Sequence, residues 1–436
     1  MASIVVVGGG VAGLTCAFRL RRAGHEVEVL EREDSPGGRM RTETRGAFRI
    51  DRGAQFVASG YRNLHAVSSA LGLASRVVAI DAREAVLHRG RLHRADVLAP
   101  SLLLRPGLLS ARGRLGLLRF GFELARRARR LDPRRPEAAA WLDGESLADG
   151  LRRTAGPEAA ELLLGPAFSA TFDAEPEDLS FAFGLLMARF AAQGLRLQTF
   201  DAGNGLLTRE LAARVPVEAG CEVTAVETET AGASVCYRRQ GRLRRVFADA
   251  VVVALPGSAV AGVCPKLTPE ERGFFDAVRY VRGIVANLLL DEPPAGLAAT
   301  GISFPRAEGL DLYGLAVDHV KPGAAPPGAG LINAALRDAA VARLWDAPDA
   351  AVERLVIESL ARTPLARLQV RGCVVHRHAA MLPLFRPGHL AGLARFHSRH
   401  ERSPRLAFAG DYLVGPHTEG AATSGMRAAT EIARSL

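Results

Sequence analysis

Lysine is nearly absent from this chain: Lys266 and Lys321 are its only two, against a Lys+Arg total of 56, so arginine carries almost all of the formal charge of +10. Such a charge suits an acidic partner, but no C2H2 spacing or aromatic RNA-binding run accompanies it, and nucleic acid is discounted in favour of an arginine-rich solvated surface. Cysteine is also scarce. Cys16, Cys221, Cys236, Cys264 and Cys373 are odd in number and widely spaced with no Cys-x-x-Cys pair, which excludes a disulfide framework and a zinc site and leaves them as small buried hydrophobes. No stretch of about 18 apolar residues occurs, because the best candidate, residues 250–263, is broken by Pro256, so no helix is expected to span a membrane. No basic and cleavable apolar segment precedes Ile4, and a cytoplasmic location is expected. The 45 glycines and 24 prolines are too scattered for a collagen-like chain or a linker array.

What is present is apolar material for a large core: 48% hydrophobic against 23% charged residues over 436 positions, enough for two or three domains. Residues 4–7 read as a strand, followed by Gly8-Gly9-Gly10-Val11-Ala12-Gly13 and a helix-like segment over 14–23. Gly8 permits the tight turn, Gly10 lets a pyrophosphate approach the backbone, and Gly13 lets helix and strand pack closely, with the helix N-terminus facing the anion. A second strand, residues 26–30, ends at Glu31, an acidic residue placed to hold a ribose hydroxyl pair. This βαβ unit binds a dinucleotide, and taken alone it does not separate NAD from FAD.

The sequence that follows, Ser35-Pro36-Gly37-Gly38-Arg39-Met40-Arg41-Thr42, extends the motif. From Gly8 to Thr42 the chain resembles the FAD signature of the flavin-containing amine oxidase superfamily, in which a Gly-Gly-Arg lies along the FAD pyrophosphate. Two glycines let backbone approach the phosphates, and Arg39 offers a planar, always-charged fork. Residues 248–256 resemble the family's central strand, and Gly410-Asp411 with Thr418-Glu419-Gly420-Ala421 its closing segment, whose helix N-terminus faces the flavin pyrimidine. The resemblance implies noncovalent FAD, since the cysteine that tethers it in some relatives has no counterpart near Leu384. It further implies FAD contacts at Val11, Ala12, Arg32, Gly53, Ala54, Gln55 and Val223.

The implied fold is α/β: a Rossmann-like FAD-binding domain of the glutathione-reductase or hydroxybenzoate-hydroxylase type, with an interleaved α+β substrate domain. The FAD-binding domain is expected from residues 1–75, 205–262 and 395–436, and the substrate domain from 76–204 and 263–394. Residues 145–180 and 280–288 are similar to protoporphyrinogen oxidases, the branch to which the chain is assigned.

Departures from true amine oxidases are informative. The lysine those enzymes place near the flavin is matched here by Val285, and their two substrate-flanking tyrosines by His417 and Phe385. His417 is then a candidate base poised near neutral pH or a plain loop residue beside Pro416. Phe385 and Phe168 read as apolar pocket walls with Val285, and Gln55 as a residue meeting flavin or substrate. Residues 101–130 interleave leucine and phenylalanine with arginine; they read as a basic amphipathic segment resting on an anionic bilayer, or as a helical lid with a solvated arginine face. Residues 321–330 read as a surface loop.

The expected activity is two-electron oxidation of a bulky apolar or tetrapyrrole-like molecule by hydride transfer to flavin, with oxygen as re-oxidant. The alternatives are an amine oxidase, an isoprenoid or natural-product desaturase, and a catalytically silent flavin-binding scaffold.

Overall fold

β-Branched residues dominate Ser3–Val7, and such side chains favour the extended backbone of a strand buried on both faces. The computed structural model, which describes residues 1–95, 107–295, 297 and 299–436, places this strand at the centre of a five-stranded parallel sheet. Val217–Glu218 and Glu26–Leu30 lie on one side of it, Ala250–Val253 and Leu406–Phe408 on the other. Alternate side chains feed two cores. Ile4 and Val6 pack with helices Val11–Arg22 and Thr418–Ser435 through Leu14, Cys16, Ala422 and Ile432. Val5 and Val7 pack with Val226, Val235, Val260 and Phe275, from a three-stranded antiparallel sheet and the helices that follow it. The two helices of the first layer cross closely, because a side chain at Gly425 would collide with the Ala12 carbonyl.

A second, seven-stranded sheet has the order Val370–His378, Gly283–Leu290, Gly330–Leu336, Leu312–Val317, Gly301–Ser303, Glu84–His88, Arg91–Arg94. It is antiparallel except where Gly301–Ser303 meets Glu84–His88. Helix Asp349–Ala361 covers one face, with Val352, Val356 and Leu360 against Ile284, Ala286 and Leu288. The hairpin Thr42–Arg45/Phe48–Asp51 lies on the other face, its Phe48 and Ile50 packed on Leu331 and Val374. A helical layer completes the body around Phe181, Phe183 and Leu185. This is the expected α/β architecture, a parallel Rossmann-like sheet joined to an α+β unit. Among the described residues no helix is long and apolar enough to cross a membrane, and no cluster of three metal-ligating side chains occurs. All five cysteines are free. Residues 101–106 of the amphipathic segment lie outside the described residues.

Candidate functional site

The glycine-rich turn does what its spacing requires. Gly8 has φ +105° and donates to Leu30 O at 2.8 Å, and a Cβ there would sit 2.7 Å from Ala254 O. A Cβ on Gly13 would collide with Gly8 O, whereas one on Gly10 would meet nothing within 4 Å. That open space faces the first turn of Val11–Arg22, where Gly10 caps the helix without a side chain and Val11 and Ala12 are buried. Free helical N–H groups and the positive end of the helix dipole therefore border open space into which a side chain at Gly10 would project, which suits a pyrophosphate.

The second glycine pair closes over the first. Gly37 (φ +121°) donates to Gly9 O at 2.8 Å, and Gly38 (φ +53°) lies so near that its Cβ would be 3.3 Å from Gly10 Cα. Glu31 is buried at the end of its strand, where Oε2 accepts from Gly9 N at 2.6 Å and Oε1 from Glu33 N at 2.9 Å. A carboxylate has further lone pairs, so it holds the turn and keeps acceptor capacity for a ribose. Val223 follows Cys221, whose N–H donates to Glu31 O at 2.7 Å, and thus belongs to the same end of the site. Arg32, next to Glu31, has a side chain that is 71% exposed and pairs with Glu33.

Arg39 leads from this turn to the closing segment. Its Nη1 donates to Asp411 Oδ2 and to Met381 O, both at 2.7 Å, and its guanidinium lies 5.6 Å from the centre of the Tyr280 ring. Tyr280 Oη donates to the other oxygen of Asp411 at 3.3 Å and accepts from Gly257 N at 3.1 Å. Gly53 and Ala54 pack on Arg39, Ala54 N donating to Arg39 O at 3.0 Å. Gly410 admits no side chain because the Tyr412 ring covers it. Thr418 opens the last helix with a buried Oγ1 that has no partner. Glu419, expected to meet the cofactor, instead accepts from Asn63 N at 3.0 Å and Leu64 N at 2.8 Å. It caps helix Arg62–Ala70, which has no side-chain cap of its own.

His417 is itself a cap. Its Nδ1 accepts from Gly420 N at 2.8 Å, while Ala421 N donates to its carbonyl at 3.1 Å. Burial pulls its pKa down to about 4, against a weaker opposing pull from Asp411. With one ring nitrogen committed and so low a basicity, it is a neutral structural ring, and the base role is not built. The ring stacks on Tyr61 (5.5 Å, 26°) and Phe190 (6.0 Å, 11°), which also stack on each other (5.8 Å, 18°). These three partly buried rings from three helix ends form one aromatic wall.

The expected pocket walls fare differently. Phe385 is fully buried, its ring 5.0 Å from Phe183 and 4.3 Å from His389, and Val285 is 2% exposed within its strand. Neither has surface to offer a substrate, because the core needs both. Phe168 keeps part of its surface and stacks on Phe172. Gln55 is tied at both ends of its amide, Nε2 donating to Asp51 O at 3.0 Å and Oε1 accepting from Lys321 Nζ at 2.8 Å. Lys321 lies in no surface loop: it is 5% exposed, donates to Asp51 at 3.1 Å and forms an ion pair with Asp318 at 2.9 Å. Burial pushes Asp318 up to about 6, with Lys321 opposing. Tyr61, Phe190, Tyr280 and Lys321 were not found from sequence. The one signal available was that Lys321 is one of only two lysines in a chain that otherwise uses arginine.

A dinucleotide cradle, a second glycine pair above it and a helix N-terminus at the far end define a flavoprotein of the Rossmann type. Residues 11–433 match the family of flavin containing amine oxidoreductases, and the chain belongs to it. The cofactor is noncovalent FAD, and the open space at Gly10 with the unpartnered Thr418 hydroxyl fits it. The chain is similar to "Putative flavin-containing monoamine oxidase AofH" of Mycobacterium tuberculosis, at 30% identity over 61% of this chain and 60% of that protein. The match thus spans about three fifths of that relative's length. It is also similar to the coproporphyrinogen III oxidase of Bacillus subtilis, at 23% identity over 96% of this chain and 94% of that one. Among solved structures, putrescine oxidase bound to putrescine superposes with a TM-score of 0.80 at 19% identity, covering 99% of both chains. That likeness concerns the fold.

Proposed function

We propose that the chain is an FAD-dependent oxidoreductase that removes a hydride from a carbon bearing nitrogen, with Tyr61, Phe190 and His417 as the substrate-facing wall. The aromatic wall beside the N-terminus of Thr418–Ser435 is the observation that carries this reading. Electron-rich ring faces attract an amine, and the neutral His417 adds no charge to repel it. FAD, when bound, supplies the two-electron acceptor. Gly10 and Gly38 admit its pyrophosphate, Glu31 its ribose, and Arg39 with Asp411 orders the segment that joins cradle and wall. The substrate gives up a hydride and a proton to become an imine, which water hydrolyses to a carbonyl compound and the released amine or ammonia, and oxygen takes up the electron pair as peroxide. The family match and the 30% identity to a putative monoamine oxidase support this over the porphyrinogen reading expected from sequence.

Two observations favour a second reading. Val285 stands where a lysine is expected of amine oxidases, and a relative matched along nearly the whole chain is a coproporphyrinogen III oxidase. Dehydrogenation of a tetrapyrrole-like substrate is that alternative. Anaerobic mixing of the holoprotein with a panel of primary amines and, separately, with a porphyrinogen separates the two by bleaching of the flavin absorbance. Bleaching by an amine, followed by peroxide release in air, is expected. Bleaching by the porphyrinogen alone replaces the first reading with the second, and bleaching by neither defeats both.

A further inference from the structure

Helix Ala111–Arg127 takes no part in the cofactor cradle or the aromatic wall. Ser110 caps it, accepting from Gly113 N at 3.1 Å, and Glu158 holds that cap by accepting from Ser110 N at 2.7 Å. One face is seated on the body: Gly113, Gly116 and Phe120 are buried, and Leu117 and Leu124 pack on the phenylalanine core. The seat is close, since a Cβ on Gly116 would collide with Ala155 O of the neighbouring helix.

At 3.6 residues per turn, that seating carries Leu115, Leu118 and Phe122 to the opposite side. They are 48%, 54% and 70% exposed. Arg112, Arg119 and Arg126, seven residues apart and all exposed, border the apolar stripe along one flank. Glu123 is the only acid on the helix and is taken up by Arg126 and Arg127. Just beyond, Arg130 lies 3.8 Å over the ring of Trp141, itself 45% exposed. A helix meeting only water gains nothing from leucine and phenylalanine on its outermost line. One lying in a membrane interface gains from both features, the stripe entering the acyl boundary and the arginine flank meeting lipid phosphates.

We propose that this surface docks the protein on an anionic phospholipid bilayer, through Leu115, Leu118 and Phe122 with Arg112, Arg119 and Arg126. The border favours a bilayer over a second copy of the chain, because the one acid of the helix, Glu123, is already engaged by Arg126 and Arg127 and leaves none on this face for Arg112 and Arg119 of another copy. The test is co-sedimentation of the holoprotein with vesicles of phosphatidylcholine, with and without phosphatidylglycerol, at low and high salt. Binding is expected only to the anionic vesicles and is expected to weaken as salt rises. The double variant L118E/F122E should lower partitioning at least ~10-fold. Its flavin spectrum and thermal unfolding should match the wild type, since both side chains are more than half exposed. The triple variant R112Q/R119Q/R126Q should lose most of the salt dependence. Failure of the wild type to bind anionic vesicles at low salt overturns the proposal, as does equal binding by L118E/F122E. Concentration-dependent dimers that L118E/F122E abolishes would assign the stripe to a second copy instead.

Discussion

Replacing Glu31 with alanine removes two hydrogen bonds from backbone N–H groups to a buried carboxylate, at 2.6 Å from Gly9 and 2.9 Å from Glu33. Bonds of this charged kind are worth about 1.5–3 kcal/mol each, so the turn that forms the cradle loses about 3–6 kcal/mol of ordering. If the same carboxylate also accepts from the adenosine ribose, a further loss of similar size falls on the cofactor alone. The dissociation constant for FAD should then rise at least ~10-fold. Glu31→Gln separates the contributions, because its amide oxygen can still accept from Gly9 while its NH2 group cannot accept from Glu33. The expected order of FAD affinity is wild type, then Glu31→Gln, then Glu31→Ala. The measurement is titration of apoprotein with FAD by flavin fluorescence, at a temperature where every variant is folded by circular dichroism. A Glu31→Ala protein that melts lower yet binds FAD with wild-type affinity would refute the ribose role and leave Glu31 as a purely structural clamp.

Other substitutions test neighbouring steps. Gly10→Ala should leave the melting temperature of the apoprotein near wild type and abolish FAD uptake, because its methyl enters only open space, whereas Gly13→Ala should lower that temperature outright by colliding with Gly8 O. Phe385→Ala should cost about 3–5 kcal/mol of stability in denaturant melts, as for a large aromatic lost from a closed core; a change in substrate preference without loss of stability would contradict its burial. His417→Asn tests the titration. A histidine whose pKa falls to about 4 in the fold adds stability that is complete above its unfolded value near 6.5 and is lost as pH drops toward 4. Asparagine caps a helix without titrating. The wild type should therefore lose roughly 3 kcal/mol relative to His417→Asn over that range, and parallel pH curves for the two proteins would show that His417 is not held neutral.

The dinucleotide cradle was legible because its residues are adjacent in sequence and each has one physical duty: Gly8 for φ, Gly10 for space, Gly13 for helix contact. The strand at residues 250–253 was equally plain, since four buried aliphatics in a row ended by Pro256 have few other readings. The substrate side was not legible. Its wall joins Tyr61, Phe190 and His417, which lie more than a hundred residues apart and carry no local pattern, while Phe385 and Val285, placed by matching to relatives, were claimed by the core. Glu419 and Gln55 show the same limit, because their side chains serve distant backbone, and only coordinates reveal which.

The central parallel sheet also has a temporal consequence. Its middle strand, Ser3–Val7, pairs directly with Ala250–Val253, and that strand in turn with Leu406–Phe408. A ribosome must therefore make more than half of the chain before the first strand gains its second neighbour, and nearly all of it before the outer strand and the helix that follows can dock. Until then the apolar faces of Ile4 to Val7 and of the 250–253 strand stand open to off-pathway association, a burden expected of long-range parallel pairing. The yield of soluble protein should thus depend on the speed of synthesis and on chaperone supply more than on the stability of the finished fold.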